Sequence, residues 1–362
     1  MIPVLIELPP EERNTNALAH LFPLSPDEEN NRSQLKLASI GRIHPLVYTI
    51  DACPCCGSKN LTLFPAVVAP FLASYAVGSR PARCSLAQCL GCSLRFFTSR
   101  LTPDEVTKLY SGYRGEEYFQ QRHNAEPWYS RSVNNGIAGD PNEIQTRNTA
   151  LEAFLQPHIN GQEVNAVLDY GGDRGQFIPR AVGKEKFVFE LSAAQPVDGV
   201  TRIASEAELD GRRFDLTLLL GVLEHCPEPL SVLQKVRPLM RGPDARIIIG
   251  VPYEWYGLKS VRPGRVYSWY LDTLLKSRPL MKAIDFYSTL ARVRFHRIPP
   301  FGIVKCHEHL NFFNEQSMTA LLRGAGMDLV ACSTTQTCSY PAPTLSLNVL
   351  AKPADNRLVC AT

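Results

Sequence analysis

The stretch VNAVLDYGGDRGQFIPRAV narrows the choice of fold more than any other part of the 362-residue chain. An apolar run (Val164, Ala166, Val167, Leu168) ends at Asp169, and Gly171, Gly172 and Gly175 follow at once. A buried strand running into a glycine-rich turn, with an amphipathic helix expected from about Gln176, is the opening unit of an α/β sheet. Glycine lets backbone approach a ligand closely, and in open α/β sheets the ligand lies beyond the carboxyl ends of the strands. The next short apolar run, Phe187-Val188-Phe189, ends at Glu190, where a carboxylate is placed to accept both hydroxyls of a ribose.

The spacing argues against a dinucleotide. Its fingerprint needs glycine at 171, 173 and 176, where this chain has Gly171, Asp173 and Gln176. Asp173 puts a carboxylate where phosphates are usually cradled, which repels anions and suits a cation. S-Adenosylmethionine, with a ribose, an ammonium and a sulfonium, matches this pattern better than NAD. Two further buried strands follow, Phe214 to Leu220 reaching Glu224-His225, and Ile247 to Val251 closed by Pro252. The segment Pro229 to Met240 supplies a crossover helix between them, as parallel strands require.

A second signal lies upstream. Cys53 and Cys56 form one C-x-x-C pair and Cys89 and Cys92 another, with 32 residues between the two pairs. Two such knuckles can set four thiolates tetrahedrally around a structural zinc ion; buried free thiols and redox use are the alternatives. Cys55 and Cys84 belong to no matching pair. Four protein ligands would leave no open position for catalysis, so such a metal would hold a small domain together. Next, LTPDEVTKLY starts a helix, with Thr102 as N-cap and Pro103 at its first position. The segment from Tyr110 to Arg131, dense in aromatic and charged side chains, reads either as a groove lining or as a solvated connector.

Composition excludes several classes. With 44% hydrophobic and 20% charged residues, the chain is neither disordered throughout nor collagen-like nor a coiled coil. A net charge of +3 gives no nucleic-acid footprint. Eleven cysteines in a chain this long make no disulfide scaffold, and the N-terminus lacks a secretory layout, so a cytoplasmic setting is expected. The apolar stretch Leu61 to Gly78 is interrupted by Pro65 and Pro70 and is expected to be folded core or a lid, so no transmembrane segment is expected.

These residues together resemble the class I S-adenosylmethionine-dependent methyltransferases over about residues 145 to 352. The resemblance implies a Rossmann-like, doubly wound, mostly parallel seven-stranded α/β sheet. It implies donor binding by Asp169, Gly171, Gly172, Asp173, Gly175, Glu190 and Leu220. A narrower resemblance takes in CPCCGS, CLGCSLRFF and HEHLNFFNEQSMTALLRGAGM: the chain is similar to zinc-containing methyltransferases of sugar and polysaccharide pathways, sugar C-methyltransferases among them. That implies a zinc-ribbon-like domain holding Zn2+ through Cys53, Cys56, Cys89 and Cys92, and an acceptor site at His307, Glu308 and His309. His309 is the expected base, with Glu308 orienting it or raising its pKa. His307 and His225 stand in reserve, and Glu224 is expected to cap the following helix.

The expected organisation is an extended or disordered arm over 1–50, the cysteine domain over 51–98, a helical linker or lid over 99–145, the methyltransferase domain over 146–352 and a tail over 353–362. An insertion at 253–306 contains nine Lys or Arg and two Asp between Lys259 and Arg297. Three readings of it compete: recognition of an anionic acceptor such as a nucleotide-linked sugar, peripheral contact with anionic lipid, and a solvated excursion without a partner. For the whole chain, methyl transfer to a small-molecule or glycan acceptor stands beside two alternatives. One is a scaffold that keeps the fold without transfer, motivated by Asp173; the other is RNA methylation.

Overall fold

The computed structural model describes residues 48–137, 139–159, 164–190, 194–262, 264–337 and 344–354. The expected N-terminal arm falls outside these residues up to position 47, as does most of the tail. Five short strands come first: β1 (Tyr48–Thr49), β2 (Leu61–Val68), β3 (Arg83–Cys89), β4 (Arg95–Phe97) and β5 (Ser99–Arg100). Then come β6 (Ala166–Tyr170), β7 (Glu185–Phe189), β8 (Thr201–Ile203), β9 (Leu216–Leu220) and β10 (Arg246–Pro252). Past the insertion lie β11 (Lys305–Cys306), β12 (Asn311–Phe312), β13 (Met327–Thr337) and β14 (Thr344–Pro353).

Seven strands form the larger sheet in the order β13-β14-β10-β9-β6-β7-β8. The pairs β10–β9, β9–β6, β6–β7 and β7–β8 are parallel, and β14 runs antiparallel to both its neighbours. The Rossmann-like, mostly parallel sheet expected from the sequence is therefore present. β6 is buried at every position and β10 at five consecutive ones, as near-continuous apolar runs demand when both faces are covered. The Pro229–Val236 helix and a 3-10 turn over Arg237–Leu239 carry the chain from β9 to β10.

The helix expected from Gln176 does not form: residues 171–184 run as turns into β7. Pro179 is the reason, since it donates no N–H and its ring obstructs the carbonyl four residues earlier. Gly183, at φ 80°, reverses the chain soon after and leaves no room for a helix of useful length.

The smaller sheet has the order β11-β2-β3-β4-β12, so it is not built from residues 51–98 alone. β11 pairs parallel with β2 and β12 antiparallel with β4. Residues 307–310 consequently pass from one edge of this sheet to the other. Of the two expectations for the apolar stretch after Leu61, core or lid, core holds for its later part: Ala66, Val67 and Val68 of β2 and Phe71, Leu72 and Ala73 in the helical turn that follows are buried, whereas Leu63 is 49% exposed. One hydrophobic cluster includes Phe96 and Phe97 of β4 together with Ile247 and Ile249 of β10, so the two sheets share a core. Thr102 caps the Pro103–Ser111 helix in a reciprocal capping box with Glu105.

Candidate active site

A cavity of about 930 Å³ lies at the carboxyl ends of the parallel strands. Asp169, Gly171, Gly172, Asp173, Glu190 and Leu220 all line it. Gly175 does not. It has a φ of 72°, and a Cβ there would meet Val200 at 2.9 Å, so it shapes the turn from behind. Gly172 is fixed more tightly, because an added Cβ would sit 2.0 Å from the Asp169 carboxyl carbon. Asp173 takes a left-handed conformation at φ 55°, which Asp tolerates better than most residues. It therefore adopts a backbone conformation that glycine takes most readily. Its carboxylate is exposed and accepts a hydrogen bond from Gln176 at 3.3 Å.

Both Asp169 carboxylate oxygens are buried without a hydrogen-bond partner among the described residues. Burial pushes this carboxyl up to about 7, opposed by the Arg147 guanidinium. Seven carboxylates line the cavity against four guanidinium groups, those of Arg114, Arg122, Arg147 and Arg292. A cationic guest answers that imbalance better than an anionic one, and an orphaned buried carboxylate calls for a donor or a positive charge. The donor end thus fits the ammonium and sulfonium of S-adenosylmethionine.

At the other end, Tyr110, Tyr113, Arg122, His225, Glu254 and the His307–Glu308–His309 segment converge. The aromatic and charged segment after Tyr110 is therefore groove lining in part. Asn311 brings the two histidine-bearing loops together: its side chain donates to the carbonyls of Leu223 at 3.0 Å and Cys226 at 2.7 Å. The Leu310 and Asn311 N–H groups both donate to the Glu224 carbonyl, and buried Arg100 donates to the Asn311 side chain at 3.0 Å. The His225 and His309 rings end 4.8 Å apart, centroid to centroid.

His309 Nδ1 donates to Glu254 at 2.8 Å. Burial is the largest influence and works against the imidazolium, but the charge and hydrogen bond of Glu254 together with the charges of Glu224 and Glu308 outweigh it and raise the His309 pKa above its ordinary value. Burial likewise opposes ionisation of Glu254, yet His309 beside it holds that carboxyl down at about 2. Glu308 does not orient His309, since it accepts from Arg122 at 2.9 Å and from the Tyr118 hydroxyl, but its charge helps to raise the His309 pKa, the other role expected of it. Glu254, in the loop after β10, has no motif to announce it, and only tertiary contact reveals its role.

His225 donates from Nδ1 to the Glu308 carbonyl at 3.0 Å, with the Tyr110 hydroxyl 2.9 Å away, which leaves Nε2 unprotonated. Burial lowers its pKa to about 4, so it is neutral. His307 is also pushed far down, by burial first, and its Nε2 has no partner among the described residues. Glu224 does not cap the helix after it: Glu228 holds that position, its side chain accepting from the Ser231 hydroxyl at 2.8 Å and not from a backbone N–H. Glu224 is buried in the cavity wall instead, and burial lifts its carboxyl to about 7.

The four sulfurs of Cys53, Cys56, Cys89 and Cys92 lie within 4.8 Å of one another. Cys53–Cys92 and Cys56–Cys89 are 3.5 Å apart, and the Gly91 N–H donates to the Cys89 sulfur at 3.3 Å. Gln316 and Asn314 bind the second knuckle through Gly91 and Ser93, which ties it to the chain just beyond the His-Glu-His segment.

Sheet order, glycine turn and cavity at the strand ends define an α/β enzyme of the methyltransferase type. The family model for the methyltransferase domain matches residues 144–331, a little over half of the chain. The chain belongs to that family and is a methyltransferase. No curated protein matches it. Among solved structures, it is similar to the 1,6-didemethyltoxoflavin-N1-methyltransferase of Burkholderia thailandensis, with 22% identity over 62% of this chain and 84% of that one, TM-score 0.37. The magnesium protoporphyrin IX methyltransferase of Synechocystis shares 14% over 61% and 87%, TM-score 0.36. The N-methyltransferase NodS of Bradyrhizobium japonicum shares 13% over 60% and 99%, TM-score 0.34.

Proposed function

We propose that the chain methylates a small-molecule or glycan acceptor, foremost a nucleotide-linked sugar or polysaccharide precursor, with His309 as the base. The observation that carries this reading is the Glu254–His309 pair at 2.8 Å, inside the same cavity as Asp169 and Glu190. The donor supplies an electrophilic methyl group. Asp169 and Asp173 would complement its positive charge, Glu190 its ribose, and the Gly171–Gly172 turn its close approach.

His309 Nδ1 is occupied by Glu254, which leaves Nε2 to take a proton from an acceptor O–H or C–H. Glu254 fixes the tautomer and stabilises the imidazolium once the proton arrives. Neutral His225 and the half-buried aromatics Tyr110 and Tyr113 would hold the acceptor beside it and exclude water. Glu308 acts indirectly: its ion pair with Arg122 ties the Glu116–Ala125 helix to the His-Glu-His segment. Incubation with labelled S-adenosylmethionine and a panel of nucleotide sugars tests the reading. Transfer to one of them, lost in His309→Ala, is expected; transfer that survives this substitution removes His309 as the base.

The cysteine cluster supports a structural Zn2+ in a zinc-ribbon-like domain. Tetrahedral zinc with Zn–S bonds of about 2.3 Å sets sulfurs slightly under about 4 Å apart, close to the spacing here. Metal analysis should return one zinc per chain. Chelation or Cys89→Ser should lower the melting temperature, and an unchanged melting curve would count against the metal.

A further inference from the structure

We propose that the Arg265–Lys276 and Arg278–Phe295 helices present a surface that rests on an anionic lipid bilayer. The described residues include thirteen exposed large hydrophobic side chains, and nine of them lie between Val266 and Phe301. The patch is therefore local, not a general feature of the surface.

The second helix shows how it arises. Met281, Asp285, Ser288 and Ala291 form its buried row. Phe286, Leu290 and Val293 repeat at the same helical spacing, about 140° further round the axis, and are 53, 55 and 51% exposed. An ordinary surface helix is polar on the face turned from the core. This one is apolar there, and Trp269 of the preceding helix adds an indole that is 69% exposed.

Charge selects the occupant. Of the nine Lys and Arg from Lys259 to Arg297, eight are exposed, and Arg292 alone lines the cavity. Those eight cannot recognise an acceptor inside it. The two acids of this stretch are engaged elsewhere: Asp272 faces Arg83 at 3.4 Å, and buried Asp285 pairs with Lys305 at 2.8 Å. Lys282 and Arg294 are exposed on the same helix as the apolar stripe. A second copy of the chain docked face to face would bring two such basic faces together and repel. Anionic headgroups complement them, while Phe286, Leu290 and Trp269 enter the boundary between headgroups and acyl chains. No described helix is long and apolar enough to cross a membrane, so the contact is peripheral. Val293 belongs to both the stripe and the cavity wall, which sets the cavity mouth beside the bilayer.

Co-sedimentation of the full chain with vesicles tests this. Mixed phosphatidylcholine–phosphatidylglycerol vesicles should bind it about tenfold or more better than pure phosphatidylcholine, with added salt weakening the binding. The double substitution Phe286→Glu/Leu290→Glu should reduce binding about tenfold without lowering the melting temperature, since both side chains are exposed. Lys282→Glu/Arg294→Glu should reduce it through charge alone. Absence of binding to the mixed vesicles overturns the proposal, and so does binding that the Phe286→Glu/Leu290→Glu pair leaves intact. A concentration-dependent dimer split by that pair, with no vesicle binding, would assign the surface to self-association instead.

Discussion

The two ends of the cavity are built in different ways. The donor end comes from consecutive segments of one sheet: the turn after β6 and the acid after β7 lie where strand order alone puts them. At the acceptor end, residues from Tyr110 to His309 meet because β11 and β12 join the edges of a sheet begun some 240 residues earlier. The first arrangement is local and tolerates change elsewhere in the chain. The second depends on packing, so substitutions far from the chemistry should weaken it.

Substitutions can break this division of labour. The largest separation is expected from His309→Ala, which should cut turnover by about 10²- to 10⁴-fold with donor affinity unchanged in calorimetry. A comparable loss of donor binding would mean that the two ends are not independent. Next, Asn311→Ala removes the bonds to Leu223 and Cys226 and strands Arg100, a cost of about 1–3 kcal/mol for each buried group left unpaired. Chemical denaturation should register it, and turnover should fall more than donor affinity. Glu190→Ala should weaken donor binding by about tenfold, with little effect on the melting temperature; unchanged affinity would remove Glu190 from the ribose site.

The smallest effect is a shift in pH dependence. His309 must be neutral to accept a proton, so kcat/KM should rise with pH through a value above the ordinary imidazole range, because Glu254 favours the charged ring. Glu254 itself, held at about 2, stays ionised throughout. Glu254→Gln removes that charge, so the acid limb of the profile should move to lower pH while the maximum falls. An unmoved limb would place the titration on another group, with Glu224 and Asp169, both near 7, first in line.

Much of the donor end was legible because its signals are local. An apolar run, a glycine turn and a terminal acid each report a strand end whatever surrounds them. The failures were also local in kind. Pro179 replaced an expected helix with turns, and Gly175 supports the loop without reaching the cavity. At the acceptor end, the His-Glu-His triplet identified the segment, but neighbours in sequence are not neighbours in chemistry. Glu308 turned to Arg122, and Glu254, 55 residues upstream of His309, became its partner.

The sequence by itself determined the parallel sheet, the turn that meets the donor and the spacing of four thiols, because backbone geometry and chain reach fix those within a few residues. Tertiary structure alone decided which carboxylate faces which histidine, why Asp173 is tolerated, and which way the basic helices point. Those outcomes depend on burial and on charges brought together from distant segments, and a linear pattern does not encode such distances.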